Sequence, residues 1–229
     1  MIMRTIIPTG TTRRTGTRMT DTALLTLSQW MSPSFPLGSF AYSHGLEQAV
    51  SEGAVHDGAS MERWLDAVLR FGGGWSDAVI LSVVLRGAEP HEMADFAAAL
   101  APTQERWIET RDQGAAFART VRDIAGLDVE DAAIPVVVGV AARTLDLPVE
   151  TVLMLYLSSF ASNLVSAGVR FIPLGQSDGQ SVLSRLHPVI AQIAQTASCA
   201  SLDDLATSAF AGDVASARHE DLDVRIFKT

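Results

Sequence analysis

The pentapeptide Ala41-Tyr42-Ser43-His44-Gly45 sets a hydroxyl beside an imidazole, between a small residue and a glycine. That is the outline of a nucleophile elbow with alanine in the first glycine position. An elbow presents its serine only on a sharp strand-to-helix turn. The preceding stretch, Ser32 to Ser39, contains Pro33 and Pro36, which cannot belong to a central strand. A serine hydrolase using Ser43 is therefore the alternative reading, and otherwise Ser43 is a helix N-cap or first-turn residue. His44 and Glu47, spaced i, i+3, offer two metal ligands, too few for a closed site. The simpler reading is a pair on a helix surface, and His219-Glu220 reads the same way. A phosphate-binding loop needs a lysine after Gly-x-x-x-x-Gly, and the only lysine is Lys228. Gly72-Gly73-Gly74 follows no strand and reads as a helix stop. The carboxylate pairs Asp203-Asp204 and Asp221/Asp223 have nothing to keep them dry and read as solvated. Cys199 is the single cysteine, so there is no disulfide framework and no Cys-x-x-Cys pair.

The elements that must position these residues are helical nearly throughout. Met61, Trp64, Leu65, Val68 and Leu69 recur at i, i+3, i+4, i+7 and i+8, with Ser60 ahead of them as an N-cap. Pro90, Pro102 and Pro135 each stand where a first helical turn begins. After Pro102 a long helix carries Trp107, Gly114, Phe117, Val121 and Ile124 on one side. Its charged residues, among them Glu105, Arg106 and Glu109, lie mostly elsewhere. Val149 to Ile172 reads as another long helix, stopped by Pro173. The run from Pro135 to Val140 is short and β-branched, but Ala141, Ala142 and Leu145 extend it past strand length, so it reads as a buried helix. Ser201 to Asp204 resembles a capping box. The expected fold is all-α: a single globular domain of about nine to ten helices.

Composition narrows the function classes. The chain has 229 residues, 48% of them apolar, and a net charge of −9. It can bury a sizeable core, and it lacks the basic stripe that nucleic acid demands. Residues 1–20 hold Arg4, Arg13, Arg14 and Arg18 and no acid. They are expected to form a disordered extension, with residues 21–216 as the helical domain and 217–229 as a flexible, partner-binding tail. The apolar stretch Val149–Val169 is broken by Glu150, Asn163 and several serines, against a simple membrane span. A reducing, cytoplasmic location is expected.

Three segments stay unexplained as core. Ser32 to Glu47 is stiffened by prolines and carries Phe35, Phe40 and Tyr42. Phe171-Ile172-Pro173-Leu174-Gly175 places large apolar groups at a turn, where either the protein's own core or another protein must cover them. The last residues carry Arg225, Ile226 and Phe227 where tails are normally polar. None of the three supplies a nucleophile, a base and an orienter together.

These segments carry a resemblance. Ser-Pro-x-x-Pro-x-Gly-x-Phe-x-Tyr-Ser-x-Gly-Leu-Glu (Ser32 to Glu47), Ser-Asn-Leu-Val-Ser-Ala-x-Val-Arg-x-x-Pro-Leu-Gly-Gln-x-x-Gly-Gln (Ser162 to Gln180) and an Arg-His-Glu…Arg-x-Phe tail make the chain similar to urease accessory proteins of the F type. The resemblance covers about Ala23 to Thr229. It implies an all-α and usually dimeric chaperone subunit without enzymatic activity or an intrinsic cofactor. The implied partners are the D- or H-type accessory protein, the nickel-carrying GTPase G and apo-urease, with nickel handled by those partners. Phe40, Tyr42, His44, Glu47, Arg170, Pro173, Leu174, Gln176, Gln180, Arg225 and Phe227 are the expected contact residues. Relatives with tyrosine at the Phe40 position have a hydroxyl that is missing here, so Arg225 is expected to stack on Phe40 or Tyr42. A nickel site on His44 and Glu47 is the third reading.

Overall fold

The computed structural model describes residues 16–205, 209–222 and 224–228. Every regular element among them is helical: α1 (Gly16–Trp30), α2 (Leu46–Ser51), α3 (Gly58–Phe71), α4 (Gly73–Leu85), α5 (Pro90–Leu100), α6 (Gln104–Ala125), α7 (Ile134–Ala142), α8 (Val149–Phe171), α9 (Gln176–Ala197) and α10 (Phe210–His219). Short 3-10 turns lie at Ser39–Ala41, Arg143–Leu145 and Leu202–Asp204. The all-α expectation holds.

Local chemistry explains most boundaries. Asp57, not Ser60, caps α3: its side chain accepts the Ser60 N–H at 2.7 Å, and the Ser60 hydroxyl accepts the Asp57 N–H at 3.0 Å. The two residues form a reciprocal box, which places Ser60 one turn inside the helix. Thr103 caps α6 by accepting the Arg106 N–H at 3.1 Å, so Pro102 lies just ahead of that helix rather than within its first turn. The Ser201–Asp204 box forms as expected but opens only a 3-10 turn. α1 begins at Gly16, inside the stretch expected to be disordered, while residues 1–15 lie outside the described residues.

The α7 helix is buried along nearly its whole length, and α4 and α6 pack on it. Gly114 of α6 permits that contact, because a Cβ there would run into the Ala132 carbonyl. α8 and α9 lie against each other as a hairpin joined by Ile172–Gly175, and α3 packs across α9. Trp30, Leu65, Leu69, Leu81, Phe117, Leu153 and Leu157 are fully buried in one continuous core. Each contributes about 1.5–3 kcal/mol relative to an exposed side chain. A smaller cluster of Ile80, Val84, Met93, Ala97 and Val136 fastens α5 to α4 and α7. Two stretches, Gly58–Leu85 and Val149–Phe171, are long and apolar enough to cross a membrane, but 61% and 50% of their most apolar windows are buried inside the protein.

The apolar turn after α8 finds its cover within the chain. Ile172 is buried, Leu174 packs half-buried on the core, and Phe171 meets Phe227 of the C-terminal segment at 5.0 Å between ring centroids.

Candidate functional site

The elbow that drew attention in the sequence is held by strained backbone and buried charge. His44 has φ 54° and Gly45 φ 71°, two consecutive left-handed residues. For histidine that conformation costs about 1–2 kcal/mol. Gly45 is required twice over, since a Cβ would come within 2.7 Å of the Ser216 backbone nitrogen on α10. The turn delivers His44 inward, where its ring packs edge-on against Phe160 and its Nε2 lies 2.9 Å from Arg106 Nη1 and 2.8 Å from Glu109 Oε1. Arg106 also pairs with Glu109.

Burial sets the protonation states in this group. Desolvation and the Arg106 guanidinium push the His44 pKa down, against the opposing pull of Glu109. Burial pushes the Glu109 carboxyl up, but Arg106 and His44 outweigh it and hold the group at about 2. Asp77, on α4, is raised to about 6 by burial despite Arg106 and the hydroxyl of Tyr156, which donates to it at 2.7 Å. The Tyr156 hydroxyl is raised well above its usual value by burial and by Asp77. Cavities of about 70 and 40 Å³ flank this group, and His44 lines both.

A second cluster is built around the C-terminal segment. His219, the last residue of α10, is fully buried; its Nδ1 lies 2.8 Å from Glu105 Oε2 and its Nε2 3.1 Å from Glu47 Oε2. The same Glu47 carboxylate accepts the backbone N–H groups of Ile226 at 3.0 Å and Phe227 at 2.9 Å. Glu105 accepts from Arg225 at 2.6 Å. The Lys228 N–H donates to the Ala41 carbonyl at 2.8 Å, and Arg170 donates to the Phe40 carbonyl at 3.0 Å while lying over the Phe227 ring. The chain end is thus pinned to the elbow, to α2, to α6 and to the end of α8.

Several expectations change. Residues 217–229 are expected to form a flexible, partner-binding tail, yet Arg225 to Lys228 lie docked on the body and Phe227 is buried. The reason is that Glu47 and Glu105 need donors, and the tail supplies them. Arg225 pairs with Glu105 rather than stacking on Phe40 or Tyr42; the cation over Tyr42 is Lys228, at 5.7 Å. His44 and Glu47 are not a surface pair, since both are buried and belong to different clusters. His219 is likewise buried, with Glu220 exposed beside it. Four expected contact residues, Tyr42, His44, Glu47 and Phe227, are buried and hold the surface in place. Phe40, Arg170, Pro173, Gln176, Gln180 and Arg225 are exposed, Leu174 is half-buried, and both glutamines lie in the first two turns of α9. Ser43 is 1% exposed, its hydroxyl accepts the Glu47 amide at 3.3 Å, and no strand precedes it among the described residues. Asp203 and Asp204 are exposed as expected, as is Asp221, while Asp223 lies outside the described residues. Among the described residues no group of three or more His, Cys, Asp or Glu side chains is placed to hold a metal.

Sequence reasoning placed Glu105, Arg106 and Glu109 on a polar face and missed Asp77 and Tyr156. A signal for Arg106 was present. Continuing the Val121, Phe117, Gly114 stripe back by helical steps reaches Thr110 and then Arg106, on the buried side.

Comparison with known proteins decides the relationship. The UreF family model matches residues 55–187. The chain is 55% identical over 207 residues to the urease accessory protein UreF of Cereibacter sphaeroides, covering 90% of this chain and 99% of the relative. The chain belongs to the UreF family. The urease accessory protein UreF of Jannaschia is 47% identical over 90% of this chain and 94% of its own length. That of Ruegeria pomeroyi is 41% identical over 92% and 98%. The chain is therefore a urease accessory protein by family.

Proposed function

We propose that this chain acts in urease maturation as a non-catalytic binding subunit. It joins the D- or H-type accessory protein and the nickel-carrying GTPase G on apo-urease, so that nickel, the cargo, is inserted into the urease active site. Nickel stays with the partner proteins, and the chain needs no cofactor of its own. It works in the cytoplasm as a homodimer.

The observation that carries this reading is how the buried charge is used. Glu47 and Glu105, bridged by His219, hold the chain end against the elbow, and Ser43, the one serine set like a nucleophile, is sealed from solvent. Removing one partner from a buried ionic group costs about 3–5 kcal/mol, so the arrangement fixes a shape firmly. Ordering the tail opposes docking by roughly 1–2 kcal/mol per residue fixed. A fixed surface suits recognition, whereas bond chemistry needs an accessible reactive group.

The test is co-expression of the tagged chain with its D-type and G-type partners, followed by affinity purification and sizing. The expected result is one complex containing all three, with a dimer of the chain at its centre. Recovery of the chain without either partner would reject the reading.

A further inference from the structure

The larger cavity beside His44, about 70 Å³, lies among α4, α5, α6 and α10 and has room for several waters or one small organic molecule. Part of its wall is apolar, made by Val68, Ile80, Ala97 and Leu100. The rest carries charge: Asp77 from α4, Arg106 from α6 and Asp213 from α10.

These charged groups have hydrogen-bonding capacity left over. Asp77 is 8% exposed; its Oδ2 accepts from the Tyr156 hydroxyl, and among the described residues nothing donates to its Oδ1. The half-buried Asp213 carboxyl meets no donor among the described residues. Burial raises both carboxyls against the pull of Arg106, as it does for acids whose charge is incompletely met. Arg106 spends Nη1 on His44 and Glu109, and its other side-chain N–H groups remain as donors. The cavity thus offers acceptors from two carboxyls and donors from one guanidinium, beside an apolar wall. A simple cation would use the first set and a simple anion the second. A zwitterion uses both, through charge-assisted hydrogen bonds at each end.

We propose that this cavity binds a small α-amino acid of the glycine or alanine class, with its ammonium group on Asp77 and Asp213, its carboxylate on Arg106 and its carbon atoms on the apolar wall. Such a ligand ties α10 to α4 and α6, so occupancy stabilises the fold.

The test is calorimetric titration of the purified full chain with glycine and with L-alanine, using acetate and methylamine as single-charge probes. At pH 7 the amino acids are expected to saturate one site per chain and to raise Tm as they do so. Acetate and methylamine each satisfy half of the site and are expected to bind about tenfold more weakly, or worse. Asp77→Asn, which keeps an acceptor for Tyr156, and Asp213→Asn, at a half-buried position, are each expected to weaken amino-acid binding by about tenfold or more. Asp77 faces Arg106, Glu109 and Tyr156, with His44 and Asp213 on the same cavity, and takes up its proton at about 6. Wild-type binding is therefore expected to be about tenfold weaker at pH 5 than at pH 7, and this dependence should shrink in Asp77→Asn. Circular dichroism checks that each variant folds, and Asp213→Asn decides alone where Asp77→Asn does not. No saturation by either amino acid, or wild-type affinity in the folded variants, overturns the site. Acetate or methylamine binding as tightly as glycine overturns the zwitterion.

Discussion

Replacing Glu47 with glutamine tests the tail dock most sharply. The wild-type carboxylate takes the Ile226 and Phe227 amides and faces His219 Nε2. Glutamine keeps one acceptor oxygen but turns the other position into an NH2 group, which must then face a donor. At least one charge-assisted hydrogen bond is lost, about 1.5–3 kcal/mol, and a buried donor is left unpaired for about 1–3 kcal/mol more. The protein can avoid the second cost by releasing the tail into water, which gives up the burial of Phe227 instead, about 1.5–3 kcal/mol, so the expected result is undocking together with a loss of about 3–5 kcal/mol. For a chain of this size each kcal/mol is worth about 2–4 °C, which gives a drop in Tm of about 6–20 °C. Trypsin supplies the second readout. The Arg225–Ile226 bond is pinned through the Ile226 amide in wild type, and the Glu47→Gln variant should be cut there many times faster while the helical body survives. Unchanged cleavage at Arg225, with a Tm within about 2 °C of wild type, would refute the reasoning.

Other consequences are as definite. Asp77 holds its proton to about pH 6 when folded, against 3.8 as its ordinary value. Its stabilising contribution is full below 3.8 and is lost as pH rises through 6, so folding gains about 1 kcal/mol from this group between pH 7 and 5. Asp77→Asn, which keeps an acceptor for Tyr156, should remove that gain in urea titrations at the two pH values. Glu109 has the opposite sign: its contribution is present above 4.5 and fades as pH falls toward 2. Gly114→Ala should cost at least about 2 kcal/mol by chemical denaturation, because the methyl group meets the Ala132 carbonyl on the chain leading into α7. Ser43→Ala should cost about 1 kcal/mol from the lost Glu47 amide bond and leave partner binding intact, and wild type should resist fluorophosphonate labelling.

The fold was legible because its signals are local and repeated. The stripe from Met61 to Leu69 and the length of the run through Leu145 identify helices without tertiary information, and the structure has α3 and α7 there. Caps were read less well. Ser60 and Asp57 are both good capping residues, and the choice between them depends on which one adopts extended backbone. The site was legible as segments but not as contacts. Residues 32–47, the α8–α9 turn and the tail were marked by apolar groups in unusual places, and the structure brings the three together. What the pattern could not reveal is that Glu105, from the start of α6, and His219, from the end of α10, meet around Glu47. Such a pairing joins residues 114 positions apart and leaves no periodic trace. The docked tail escaped for the same reason, since its anchors are single carboxylates on other helices.

The central claim is that the chain promotes nickel insertion by holding proteins together and not by chemistry of its own. The most direct measurement is the nickel content of urease purified from cells that co-express the structural subunits and the other accessory proteins. The account predicts nickel-poor urease without this chain, full loading with wild type and with Ser43→Ala, and impaired loading with Glu47→Gln. Full loading in the absence of the chain, or loss of loading in Ser43→Ala alone, would contradict it.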